Sequence, residues 1–243
     1  MFYFLNSNII MDEKFISCLK STLTFNFSGD CISYLISKGL SIGIVLMSFT
    51  LKLPQIISML KSKSIEGLSY ISIYSEIITF LFSCLYSYHK EYPFMTYGES
   101  VIILVQNFII LLLCWKYDKD QSSDRKNFLF VAVCMIITYF CMKEKYVNDY
   151  IWYLIGSSGI PLVSISRISQ IIISFKDKST GPLSAFTFLM NIAGSVSRIF
   201  TSIKETGDKI IIISYVYSSL LSLIILIQII YYSRKNKETK KTQ

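Results

Sequence analysis

Two stretches of the chain set a cation and a glutamine three residues apart inside an apolar run. Lys52 and Gln55 do so in "KLPQIISMLKSKSIEGLS", and Arg167 and Gln170 do so in "RISQIIISFKDKSTGPLS". On a helix that spacing puts both side chains on one face. A cation surrounded by hydrocarbon is costly unless it reaches the surface or finds a partner. Lys52 stands roughly 12 Å from Leu60 at the helical rise, so snorkelling is open to it, as it is to Arg167. The glutamines reach the surface less easily, and interhelical hydrogen bonding is the structural role open to them. Further polar residues fall within apolar runs: Glu76 in "SYISIYSEIITFLF", Asn191 with Arg198 seven residues on and Ser195 between, and Glu99 with Gln106 on one face. Glu76 is tolerable if it pairs with Lys52, Arg167 or Arg198, or if it stays protonated. Two roles suit this set, lining a polar cavity or gluing helices together, and the first is preferred. A Ser/His/Asp set, a Cys/His pair, a glycine-rich phosphate loop and zinc-ligand spacing are all missing from the sequence. Enzyme chemistry therefore has no visible carrier, and no metal or cofactor is expected.

The elements that must position these residues are membrane helices. Of 243 residues, 52% are hydrophobic and 15% aromatic, with a mean hydropathy of +0.50, more than a soluble core of this size uses. Uncharged runs predict seven spans: Gly39 to Leu60, Leu68 to Tyr88, Tyr97 to Trp115, Asn127 to Met142, Tyr150 to Phe175, Leu183 to Ile203 and Ile210 to Tyr232. Most reach the roughly 20 residues that a crossing helix needs. The opening "MFYFLNSNIIM" lacks a basic n-region and reads as an interfacial lead-in rather than a signal peptide. Pro54 kinks the first span about two turns from its cytosolic end.

Charge orients the chain. One side receives thirteen basic residues against six acids; the other holds eight against nine, Glu99 at the edge of its span included. The positive-inside rule then puts the C-terminus in the cytosol and the N-terminus on the opposite side. The net charge of +8 is thereby topological, and no nucleic-acid partner is read from it. The chain ends "KKTQ", so Lys240 and Lys241 form a dilysine retrieval pattern on the side where its receptor works. That favours the endoplasmic reticulum membrane, with Asn26 in "NFS" as a candidate lumenal glycosylation acceptor. Cys18 and Cys31 share the lumenal segment; spacing alone does not decide whether they pair.

The two opening stretches are copies of each other. At a constant offset of 115 residues, eight of the fifteen positions from Gln55 are identical. Four spans separate the copies, an even number, so both share one orientation. The expected fold is all-α: seven transmembrane helices as two parallel three-helix bundles joined by a linker helix, 3+1+3. Its segments are a lumenal or interfacial stretch over 1–36, a first repeat over 37–116, a linker helix with its loops over 117–149, a second repeat over 150–232 and a basic cytosolic tail over 233–243. Parallel repeats of this kind place a shared cavity at their interface near mid-bilayer.

"LPQIISMLKSKSIEGLS" is a PQ-loop motif, with Pro54 and Gln55 as its dipeptide; the second copy has Ser169 and Gln170. In this the chain resembles the PQ-loop superfamily, which includes SWEET sugar transporters and cystinosin-like carriers. More narrowly, "SKGLSIGIV", "KLPQI", "KSIEGLS", "YPFMTYGES" and "SRIFTSIKETGD" resemble the mannose-phosphate-dolichol utilization defect family over residues 37 to 232. That resemblance implies a protein required for the use of dolichol-phosphate-mannose and dolichol-phosphate-glucose as lumenal donors, in N-glycan precursor assembly, GPI-anchor synthesis and protein mannosylation. The implied partners are membrane lipids, those dolichol-linked sugars and the lumenal glycosyltransferases that use them. Lys52, Glu76, Glu99, Gln106, Arg167, Asn191 and Arg198 are the positions at which a cavity would take a phosphate. The alternative is a small-solute carrier of the SWEET or cystinosin kind, with a free sugar or amino acid as cargo. Ser169 departs from the superfamily pattern, which implies a stiffer second hinge.

Overall fold

The computed structural model describes residues 16–18, 20, 29–65, 70–118, 121–143, 147–177 and 185–241, with side chains throughout except at 121–125, 166, 173, 177, 186, 187 and 233–241. Asn26 lies outside the described residues, and so do the side chains of Lys240 and Lys241. The secondary structure is helical: α1 (Gly29–Leu51), α2 (Leu53–Ser62), α3 (Tyr70–His89), α4 (Phe94–Tyr117), α5 (Gln121–Cys141), α6 (Asp149–Ser157), α7 (Gly159–Asp177), α8 (Ala185–Glu205) and α9 (Lys209–Lys241).

Polarity in these helices is turned inside out relative to a soluble protein. On α1 the fully buried positions are Ser37, Ser41 and Ser48, while Leu46 and Met47 are 62% and 67% exposed. On α8 Arg198, Thr201 and Ser202 are buried and Leu189, Met190, Val196 and Ile203 are exposed. Water would not tolerate that arrangement, whereas lipid requires it, because tails solvate apolar side chains and polar ones must face protein. Among the described residues, five helices are long and apolar enough to cross a membrane by length and composition alone: Gly29–Ser62, Tyr70–His89, Phe94–Tyr117, Asp149–Lys176 and Lys209–Tyr232. The apolar part of α5, Lys126–Cys141, is shorter. Asn191, Ser195, Arg198 and Thr201 dilute the hydropathy of α8, the remaining predicted span.

The chain forms two compact units that divide between Gly156 and Ser157. In the first, α4 packs against α1, α2, α3 and α5; in the second, α9 packs against both α7 and α8. The third long helix of each unit therefore lies between the first and the second. The serine stripe of α1 lets its backbone come close to α4, the use that small residues have between membrane helices. In the second unit Phe188, Ile225 and Ile229 form the core, with Ile171 and Leu226 against it.

Side-chain contacts fix which helix ends share a side within the first unit. Tyr70 at the start of α3 donates to Asp118 after α4 at 2.6 Å, and Tyr74 donates to Asn127 near the start of α5. At the other end, His89 stacks on Trp152 of α6 with centroids 4.0 Å apart. The turn from α8 to α9 is set by "KETGD": the Gly207 amide donates to the Ser202 carbonyl at 2.8 Å with φ +64°, and Asp208 accepts from the Ile210 amide.

Two span boundaries differ from expectation. The first helix starts at Gly29, ten residues before Gly39, because Asp30 and Lys38 end an uncharged run without breaking a helix. The fifth span is interrupted at Ser158, since Pro161 cannot donate to the carbonyl four residues back. The division at Gly156 also falls inside that span, so most of α6 belongs to the first unit, its Trp152 ring stacked on His89.

Candidate functional site

The first PQ motif sits at a break in the backbone. Helix α1 ends at Leu51, Lys52 takes φ −101° and ψ −6°, and α2 restarts with Pro54 in its first turn. Proline supplies no amide to the carbonyl four residues back, so the turn before it is held from outside. Gln106 of α4 donates its Nε2 to the Phe49 carbonyl at 2.7 Å. Lys52 reaches Glu76 of α3, Nζ to Oε2, at 2.6 Å. Of the three cations that could have matched Glu76, the fold brings Lys52. The pair is not sealed off: its side chains are 22% and 37% exposed. Gln55 is half-buried and Pro54 exposed, and Glu99 lies half-buried in the second turn of α4.

The second motif sits on unbroken helix. Ser169 returns its hydroxyl to the Ile165 carbonyl at 2.7 Å, and α7 runs on to Asp177. A serine keeps the amide that proline lacks, so this span is interrupted instead at Ser158, ahead of Pro161. Arg167 is half-buried with its guanidinium over the Phe188 ring, 5.0 Å from the centroid. No carboxylate among the described residues pairs with it. The repeat mate of Glu76 is Asn191, a half-buried carboxamide that carries no charge to match a cation. Arg198 is buried on the same helix as Phe188, ten residues further and so about 15 Å along the axis. The two arginines thus occupy different levels.

One structural correspondence escapes the sequence. In the second unit Gln228 of α9 donates its Nε2 to the Ile171 carbonyl of α7 at 3.1 Å. Donor and acceptor stand 57 residues apart, as do Gln106 and Phe49. Each unit therefore ties its third helix to its first by the same bond in the same register. At the constant offset Gln106 aligns with Leu221, so sequence alignment conceals a match two turns further on. Gln106 Oε1, Gln170 Oε1 and Gln228 Oε1 are buried without a hydrogen-bond partner. Lys38 was also missed: it is buried on α1 with its ammonium 5.7 Å from the Tyr34 centroid. Its charge had marked it as outside the span.

Cys18 and Cys31 are disulfide-bonded, with Cα atoms 5.2 Å apart, which ties the segment before α1 to its first turn. Among the described residues no group of His, Cys, Asp and Glu is gathered that could hold a metal ion.

Comparison with known proteins agrees with this internal symmetry. The PQ loop repeat family matches residues 36–96 and again 151–210, two matches whose starts are 115 residues apart, the offset of the two motifs. Solute carrier family 66 member 3 of Homo sapiens is 26% identical over 184 residues, covering 76% of this chain and 88% of that protein. The likeness is to a solute carrier. With an all-helical fold, two units of one helix order and a motif at the same place in each, the chain belongs to the PQ-loop repeat family of membrane proteins.

Proposed function

We propose that this protein handles the phosphate-linked sugar headgroup of a polyprenyl lipid in the endoplasmic reticulum membrane, making dolichol-phosphate-mannose and dolichol-phosphate-glucose usable as lumenal donors. The observation that carries the reading is Arg167, a half-buried guanidinium in a membrane helix with a ring face and, among the described residues, no carboxylate beside it. Such a group is costly to keep in hydrocarbon unless an anion meets it, and arginine suits phosphate through its planar fork of donors. The narrower sequence likeness, from "KLPQI" to "SRIFTSIKETGD", supports the same substrate class. The disulfide supports an oxidising compartment for the N-terminus, and the dilysine tail supports retention in the endoplasmic reticulum with the C-terminus in the cytosol.

A solute carrier as relative favours a second reading, transport of a small free solute. The test separates them: purified protein is reconstituted in liposomes with a short-chain dolichol-phosphate-mannose analogue, beside a free-mannose uptake control. Exchange of the lipid-linked sugar that falls with Arg167→Gln supports the proposal. Uptake of free mannose alone supports the carrier. If neither moves, translocation is excluded and presentation of the donor to lumenal glycosyltransferases becomes the better account.

A further inference from the structure

The two cations at matched positions are in different electrostatic states. Arg167 meets a ring and, among the described residues, no acid; Lys52 holds Glu76 at 2.6 Å. Two features set the Lys52 pair apart from a structural brace. It lies at a backbone break, so Lys52 can reorient without unwinding a helical turn, and both side chains keep a substantial part of their surface exposed. Partial exposure leaves the ammonium within reach of an arriving anion, which would otherwise have to enter a sealed contact. The pair also joins elements that are not otherwise packed together, since α4 lies between α1 and α3.

We infer that Lys52 is an exchange site for a phosphate mono- or diester, and that Glu76 holds that site until the ligand anion displaces it. This rests on the proposed reading of the substrate as a lipid-linked phosphate and adds a second anion-binding residue of distinct behaviour. At rest the carboxylate neutralises the ammonium and makes it tolerable in the membrane. An arriving phosphate carries at least the same charge and takes over the ammonium, and the freed carboxylate lets the α1–α2 break separate from α3. Gln106 keeps the preceding turn attached to α4, so the movement is confined to the part of the helix after Phe49. The second repeat cannot act this way, because Asn191 stands where Glu76 would.

The test is equilibrium binding of a ten-carbon polyprenyl phosphate to the full chain in nanodiscs, with the uncharged polyprenol and inorganic phosphate as controls. Glu76→Gln removes the competitor and keeps the shape, so it should bind the lipid phosphate roughly three- to fivefold more tightly, the range of a part-exposed pair. Lys52→Gln should bind more weakly, and adding Glu76→Gln to it should bring no gain. Should Glu76→Gln fail to fold, the wild type gives the same answer: the lipid phosphate should raise carbodiimide labelling of Glu76, read by peptide mass spectrometry, and the polyprenol should not. Unchanged or weaker binding by a folded Glu76→Gln, or labelling that ignores the ligand, makes the pair a brace and overturns the exchange while leaving the proposed function standing. Absence of binding by the wild type overturns both. Binding of inorganic phosphate equal to that of the lipid phosphate would keep the exchange and move the substrate to a free anion.

Discussion

At the scale of single residues, the charged groups of this protein are not equivalent, although their sequence settings are alike. Lys52 and Glu76 are coupled at 2.6 Å, so their removals should not add. Lys52→Gln and Glu76→Gln are each expected to lower the melting temperature in detergent, and the double variant to lose less than the sum, by about 1 kcal/mol of coupling. Arg167 and Arg198 separate by burial. Arg198 is 3% exposed, so Arg198→Gln should reduce expression and thermal stability. Arg167 is half-buried against one ring, so on the proposed function Arg167→Gln should fold and lose donor use instead. Growth complementation with size-exclusion profiles of both variants checks the split; equal damage to folding would remove Arg167 from the functional set. The sequence marked all four residues as unusual. It could not say which cation met Glu76, because that depends on which helix faces which.

At the scale of elements, backbone breaks carry the differences between the repeats. Pro54 interrupts the first motif and Pro161 interrupts the fifth span ahead of the second motif, while Ser169 leaves α7 continuous. Pro54→Ala restores an amide and should join α1 to α2, raising the melting temperature and, on the proposed function, lowering donor use; a variant that gains stability at full activity would show that the break is incidental. Gly156 faces the Tyr86 ring, where an added Cβ would come within 2.6 Å. Tyr86 is buried, so Gly156→Ala should cost about 1–3 kcal/mol through overpacking, seen as a lower melting temperature. The helix assignments themselves were largely legible, because long uncharged runs are local. The start of α1 was not: a charge ends a hydropathy run, but it does not end a helix.

At the scale of the whole molecule, the two compact units share a helix order and an internal register, and each ties its third helix to its first with a glutamine amide. The N-terminal clip closes a loop of 13 residues by the sequence separation of Cys18 and Cys31, worth roughly 3 kcal/mol where the bond forms. Full-length protein from cells should therefore shift in mobility on reduction, and Cys18→Ser should abolish the shift. A thiol labelled at Cys18 without reduction would place this end on a reducing side and overturn the proposed orientation. On the proposed localisation, Lys240→Ser with Lys241→Ser should shift the protein out of the endoplasmic reticulum fraction, checked by fractionation.

The sequence by itself determined that this is a helical membrane protein, that it is built from a repeat, and where the motifs lie. Each of those follows from composition, run length or self-similarity, which need no partner. Only the tertiary structure decided that Glu76 belongs to Lys52, that Arg167 lies on the Phe188 ring, that Lys38 is inside and that Gln228 matches Gln106. Those are relations between helices far apart in the chain. They depend on rotation and register about axes that hydropathy does not record, because lipid accepts an apolar face at any angle and only packing against a neighbour fixes which polar groups meet.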